Sequence, residues 1–297
     1  MNRLPLLLLL ASLIACNSSS DRGIETTPPL PTDSLARVPD SWIAERVVQT
    51  RRQLEATEAG QLVWRAMEAH GGLERFYQNG PLHFTFHYSP LDGGTARHTL
   101  QDVDTWRNLA RHTDTKKGSA QYGWDGNRAW VTAPDTAYFE YNLRFWALTP
   151  YYFLGQPFVF AGEGVQLEKL ADKSLNGKQY HAVKISFAPG TGDAPDDYYI
   201  AYFDRETGRQ EVIRYIVSYP GYFESGKHLP EKIMTLHDFK TVDGIVFPTA
   251  YNTHWLGPDE LPGEMITNIG VRSISFEPEL TREHFEVPSG AVALEGL

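Results

Sequence analysis

The chain has 297 residues, 41% of them hydrophobic and 12% aromatic, and a formal charge of −10 at pH 7. That length and apolar content suffice for a sizeable core. The acidic balance and the lack of any basic run speak against nucleic acid as a partner and against electrostatic docking on anionic lipid.

In chain order, the first signal is N-terminal. Arg3 supplies a short positive region, and Leu4 to Ile14 form an apolar run broken only by Pro5 and Ser12. The run is shorter than the about 20 residues of a membrane-spanning helix and fits a secretory signal peptide. It ends in Leu13-Ile14-Ala15-Cys16, which resembles the lipobox of bacterial lipoproteins. The resemblance implies loss of residues 1–15 and attachment of acyl chains such as palmitate at Cys16. Cys16 is the only cysteine, so it has no disulfide partner in its own chain, and lipidation accounts for it. The formal charge is −10 with Arg3 and −11 once the signal is removed. Asn17, where Asp would favour the inner membrane in the proteobacterial sorting rule, leans toward the outer membrane and a domain facing the periplasm. Residues 16–40 read as a lipidated tether, rich in Ser, Thr, Pro and Asp and stiffened by Pro28-Pro29-Leu30-Pro31. Residues 41–297 are expected to form one domain.

That domain opens with a helix. Asp40-Ser41 offers N-cap oxygens, and Trp42, Ile43, Val47, Val48 and Leu54 fall at helical spacing. Gly60 is expected to interrupt it, Leu62, Val63, Ala66 and Met67 to continue it, and His70-Gly71-Gly72 to end it. A helical turn over Leu73 to Tyr77 stops at Asn79-Gly80.

From Pro81 the period becomes two. His83 to Tyr88 alternates polar and aromatic residues, and Ala96 to Val103 and Thr105 to Arg111 read as strands. A hairpin follows, turning at Asp125-Gly126-Asn127 between Gln121 to Trp124 and Ala129 to Val131. Further strands are expected at Val165 to Leu170, Tyr180 to Phe187, Tyr198 to Phe203, Glu211 to Tyr219, Lys232 to Phe239, Ile245 to Trp255 and Ile266 to Phe276. Between them, Tyr138 to Gly162 is dense in large apolar side chains, with Pro150 and Pro157 limiting helix length. A short helix over Asn142 to Leu148 and then a bent loop or second helical turn are expected there. The fold class is therefore α+β: a strongly curved antiparallel sheet of ten or more strands forming an incomplete barrel. The N-terminal helix and the aromatic insert cover its concave face.

This organisation is similar to the lipoprotein carrier and receptor fold of the Lol pathway, LolA and LolB. Several segments resemble an uncharacterised branch of exported proteins with that fold. They are Ala66-Met67-Glu68-Ala69-His70-Gly71-Gly72, Tyr122-Gly123-Trp124-Asp125-Gly126, Asp196-Asp197-Tyr198-Tyr199 with Tyr202-Phe203-Asp204, and Gly244 to Pro248. The resemblance implies a fold more than a function; known carriers of this fold bind acyl chains.

Chemistry-bearing constellations are few. His83 and His87 share a strand face about 13 Å apart, too far to ligate one zinc. His70 at a helix C-terminus suits a capping or packing role, where an imidazolium complements the helix dipole. Asp193, Asp196 and Asp197 sit in a glycine-containing loop that offers carboxylates for calcium, although the spacing is not that of an EF-hand and such loops are commonly just solvated. No nucleophile elbow, phosphate loop, dinucleotide fingerprint or His-Glu-x-x-His run occurs. No catalytic residue and no cofactor are assigned. The leading expectation is non-catalytic binding of a lipid, acyl chain or other apolar molecule at Phe145, Trp146, Tyr151, Tyr152, Phe153 and Phe158. The alternatives are an assembly lipoprotein with a protein partner and, with least support, a hydrolase of dispersed residues.

Overall fold

The structure, a computed structural model, describes residues 36–294 except 117, 119, 136 and 195. The signal region, Cys16 and residues 16–35 of the expected tether lie outside the described residues.

Helix α1 (Asp40–Glu55) follows Pro39, which occupies the N-cap position with no side-chain cap bond. Asp40-Ser41 therefore lies inside the first turn, where the Asp40 charge complements the helix dipole. The break before α2 (Glu58–Ala69) comes at Ala56-Thr57, three residues earlier than Gly60. Thr57 caps α2 by accepting from the Gly60 N–H at 3.0 Å. Gly60 is the point of closest approach: a Cβ there would lie 2.0 Å from the Leu54 carbonyl oxygen. The end of α2 is as the sequence indicates. Gly71 takes φ +113°, and its Cα faces the Gly244 carbonyl so closely that a Cβ would lie 2.2 Å away. Helix α3 (Leu73–Gln78) follows.

His70 joins this corner to two distant strands. Its Nδ1–H donates to the Val246 carbonyl at 2.7 Å, and its Nε2 accepts from the Gln210 N–H at 3.1 Å. Burial pushes its pKa down to about 4, against the Val246 bond. The imidazole is thus neutral and acts as a hydrogen-bonding staple; the dipole-complementing imidazolium expected from sequence is corrected by its complete burial.

Sixteen strands form among the described residues: β1 (Leu82–Pro90), β2 (Arg97–Asp104), β3 (Leu109–Asp114), β4 (Gln121–Trp124), β5 (Ala129–Thr132), β6 (Val165–Lys169), β7 (Lys173–Leu175), β8 (Lys178–Phe187), β9 (Tyr199–Asp204), β10 (Gln210–Tyr215), β11 (Lys232–His237), β12 (Lys240–Val242), β13 (Ile245–Phe247), β14 (Ala250–Leu256), β15 (Pro262–Phe276) and β16 (Val292–Ala293). Fourteen make one antiparallel sheet in the order β16-β5-β4-β3-β2-β1-β15-β14-β11-β10-β9-β8-β6, with β7 also on β8; β12 and β13 pair separately. The sheet does not close, because β16 and β6 remain its two ends. Two runs of neighbouring strands, β16-β5-β4-β3-β2-β1 and β15-β14-β11-β10-β9-β8-β6, are joined where β1 pairs with β15.

Three boundaries differ most from the sequence reading, and side-chain contacts accompany each. Thr105 to Asn108 is a turn, not a strand, because the Asp104 carboxylate accepts from the Trp106 and Arg107 N–H groups at 2.9 Å each. The insert helix α4 (Leu143–Leu154) runs through Pro150 instead of stopping at Leu148. Thr149 donates its hydroxyl to the Phe145 carbonyl one turn below the proline, and the Ala147 carbonyl accepts from His112 Nε2–H at 2.8 Å. The strand expected to reach Tyr219 ends at Tyr215, and the chain then turns so that Ser218 meets Asp197. Among smaller differences, β11 stops at His237, the strand expected over Ile245 to Trp255 splits at Pro248-Thr249, β15 starts at Pro262 ahead of Ile266, and the short strands β7, β12 and β16 are additional.

Alternation assigns the two faces. Leu82, Phe84 and Phe86 of β1 enter the main core, while His83, Thr85 and His87 face away from it. Helix α4 touches β3, β4 and β5 on one wing, and its Tyr152 and Phe153 meet Tyr199 of β9 and Tyr215 of β10 on the other. The sheet therefore wraps around α4, and the core lies between sheet and helices. On the outer face Asp102 bonds His83 Nδ1 at 2.6 Å and His284 Nε2 at 2.8 Å, holding the C-terminal segment against β1 and β2.

Candidate functional site

The aromatic insert is divided by its position along the sheet. Asn142 caps α4 by accepting from the Phe145 N–H at 2.9 Å. From there Phe145 packs on Tyr219 and Tyr222, with ring centroids 5.0 and 5.3 Å away. Trp146 meets Tyr88 edge-on at 4.8 Å, Tyr152 meets Tyr199 at 4.9 Å, and Phe153 meets Tyr215 at 5.5 Å. These four side chains lie at one end of the wrapped face, where β1 ends and β2 begins. Phe145, Tyr152, Tyr88, Tyr199, Phe187 and Trp255 are only partly buried there. Nearby Leu91, Tyr222, Leu261 and Met265 are exposed. Tyr152 Oη is buried with no hydrogen-bond partner in the structure.

The other two expected ligand residues lie elsewhere. Phe158 stacks on Phe76 of α3 at 4.3 Å with an interplanar angle of 12°, at 2% exposure. Tyr151 is buried near Tyr77 and Asp104, toward the N-terminal helices. Both are placed as core.

Two cations stand at the aromatic end. Arg97, the first residue of β2, shares the inward face with Thr99 and Gln101. Its guanidinium lies 4.1 Å from the Trp146 ring centre, 4.7 Å from Tyr88 and 5.0 Å from Tyr141. Its Nη1–H donates to the Thr95 carbonyl at 2.9 Å, and its Nε is buried without a partner. Desolvation lowers its pKa, against the hydroxyls of Tyr88, Tyr222, Tyr141 and Tyr122. Lys232, the first residue of β11, lies 5.6 Å from the Tyr215 ring centre and 5.4 Å from that of Trp255. Burial pushes its pKa down to about 8 against the attraction of Asp197.

The calcium candidates do not converge. Asp193 pairs with Arg144 at 2.7 Å, and Asp197 accepts from the Ser218 N–H and hydroxyl at 2.6 and 2.7 Å. Asp196 is exposed and is not joined to either. Among the described residues no group of three His, Cys, Asp or Glu is arranged to hold a metal ion. Asp193 fastens α4, and Asp197 fastens the segment after β10. His83 and His87 likewise have separate partners, Asp102 and His98.

Sequence reasoning found the insert but missed Arg97, Lys232 and the facing tyrosines. The signal was present in the period of two: Arg97 falls on the same side of its strand as Thr99, Gln101 and Val103, and Tyr88 on the side of Phe84 and Phe86. A charged residue on an inward position is the informative feature.

Two solved structures share the architecture. A LolA superfamily protein from Nitrosomonas europaea matches with a TM-score of 0.51 and 12% identity, over 78% of this chain and 98% of its own. A DUF1329 family protein from Desulfovibrio piger matches with a TM-score of 0.51 and 12% identity, over 77% of this chain and 97% of its own. No protein-family model and no curated protein sequence matches the chain. The fold is LolA-like, as the sequence resemblance indicates.

Proposed function

We propose that this is an envelope lipoprotein whose aromatic end binds an acyl chain or similar apolar molecule without converting it chemically. In this reading residues 1–15 are the signal peptide, and Cys16 carries the lipid anchor in the outer membrane. Residues 16–40 are the tether, and residues 41–297 act as one binding domain.

One observation carries the binding reading. Phe145, Tyr152, Tyr88, Tyr199 and Trp255 stay partly exposed together at one end of the inward side of the sheet. Partly exposed aromatic surface gathered at one end is what a chain-binding site requires. Covering about 300 Å² of acyl chain there contributes roughly 7 kcal/mol before ordering costs.

The test is native mass spectrometry of protein purified without its signal peptide. Co-purified lipid and a lipid-dependent rise in melting temperature are expected. A clean apo mass with no thermal shift contradicts the reading. For the anchor, Cys16→Ser is expected to release the protein from the membrane fraction, and unchanged fractionation refutes lipidation.

A second reading rests on Leu91, Leu261, Met265 and Tyr222, exposed by 50, 46, 39 and 45% around the same end. Such residues suit docking of an envelope protein. In-cell cross-linking from this rim would recover one specific protein, and recovery of none argues against a partner.

A further inference from the structure

Arg97, like Arg46 and Arg111, donates to a neutral carbonyl and leaves its Nε buried without a partner, but it stands at the half-buried aromatic end, which marks it off from the carboxylate-paired guanidiniums. Arg107 pairs with Asp104, Arg144 with Asp193, and Arg214 with both Glu231 and Glu260. Arg97 faces Trp146, Tyr88 and Tyr141, and its one assigned acceptor is a neutral carbonyl, that of Thr95. A guanidinium stripped of water and given no carboxylate leaves hydrogen-bonding capacity unused. The aromatic rings that strip it are also the rings of the half-buried apolar end. The side chain keeps part of its surface exposed, so a ligand lying on Trp146 and Tyr88 comes within reach of it.

We propose that Arg97 receives the anionic head, a carboxylate or a phosphate, of the amphiphile whose chain lies along the aromatic end. This rests on the acyl-binding reading and narrows it to acidic amphiphiles. Planar N–H donors match both oxyanions, and the ring cage keeps water from competing for them. The head at Arg97 then fixes the direction of the chain, which runs from Trp146 toward Tyr152 and Phe187.

The experiment compares four probes on the mature chain carrying Cys16→Ser: oleate, oleoyl lysophosphatidic acid, oleyl alcohol and inorganic phosphate. Affinities are read from tryptophan fluorescence, with calorimetry for phosphate. At least one acid is expected to bind at least tenfold more tightly than the alcohol, about 1.4 kcal/mol. Arg97→Gln is expected to erase that preference, so that the acids and the alcohol bind within threefold of one another. The comparison among probes on the unsubstituted site stands even where Arg97→Gln fails to fold. Equal affinity for acids and alcohol overturns the head-group assignment and leaves acyl binding intact. Phosphate binding as tightly as the acidic lipids overturns the amphiphile. Failure of all three oleyl probes to bind overturns the acyl reading and this assignment together.

Discussion

Acidification is expected to destabilise the fold through two buried imidazoles. His70 and His112 are completely buried, and burial lowers the pKa of each from 6.5 to about 4. In the unfolded chain both take up protons below about pH 6.5, whereas in the native fold they stay neutral until about pH 4. Between those values the unfolded state binds more protons, so stability falls as pH falls. Worked at pH 5, each histidine removes about 2 kcal/mol relative to neutral pH, and the pair about 4 kcal/mol. His87, His98 and His254 are also lowered and act in the same direction. His83 opposes them: its bond to Asp102 raises its pKa, so its contribution is full below 6.5 and fades as pH rises through the raised value. Asp102 is held down to about 2 by His284 and His83 despite burial, so it stays ionised throughout this window. The assay is urea unfolding at pH 7, 6 and 5, followed by circular dichroism. His112→Gln should lower stability at pH 7 yet remove about half of the loss between pH 7 and 5. Stability that is flat across this range would mean that the two rings accept protons in the folded protein, and the neutral-staple account of His70 would be wrong.

Other outcomes separate core from site and test the helix corner. Phe158→Ala should cost about 3–5 kcal/mol of stability, because it empties a stacked core position, while lipid uptake per folded molecule is unchanged; lost uptake at unchanged stability would reassign Phe158 to the binding surface. Gly71→Ala should destabilise severely, since φ +113° and a Cβ at 2.2 Å from Gly244 O leave no place for a methyl group; a melting temperature within two degrees of the parent contradicts that packing. Thr57→Ala should cost about 1 kcal/mol in urea unfolding by uncapping α2, and a neutral result would show that the cap bond carries no weight.

Much of the architecture was legible because strand alternation and turn glycines are local signals. The β4–β5 hairpin turns at Asp125-Gly126-Asn127, and His70-Gly71-Gly72 ends α2, as read from the residues alone. The misread pieces depend on partners far away in sequence. Nothing near Thr105 shows that Trp106 will pack on Val38 and Ile43. Nothing near Pro150 shows that His112, from β3, will bond the Ala147 carbonyl in the same helix. The site was half legible for the same reason. The insert announces itself by composition, but Phe158 and Tyr152 look alike until α3 and β9 arrive to cover one and flank the other. Arg97 reads as an ordinary strand arginine until Trp146 and Tyr141 close over it from the insert.

The seam between β1 and β15 bears on the order in which the molecule is built. Leu82 pairs with Phe276, and Pro90 with Thr267, so one edge of β1 waits for almost the last strand of the chain. A polypeptide made from its N-terminus completes the β1–β5 hairpins long before residues 262–276 exist. In that interval β1 offers unpaired N–H and C=O groups beside Phe84 and Phe86, an adhesive margin open to any other extended chain. Loss of the final 36 residues, 262–297, would make that temporary condition permanent and favour insoluble product over a shorter working protein.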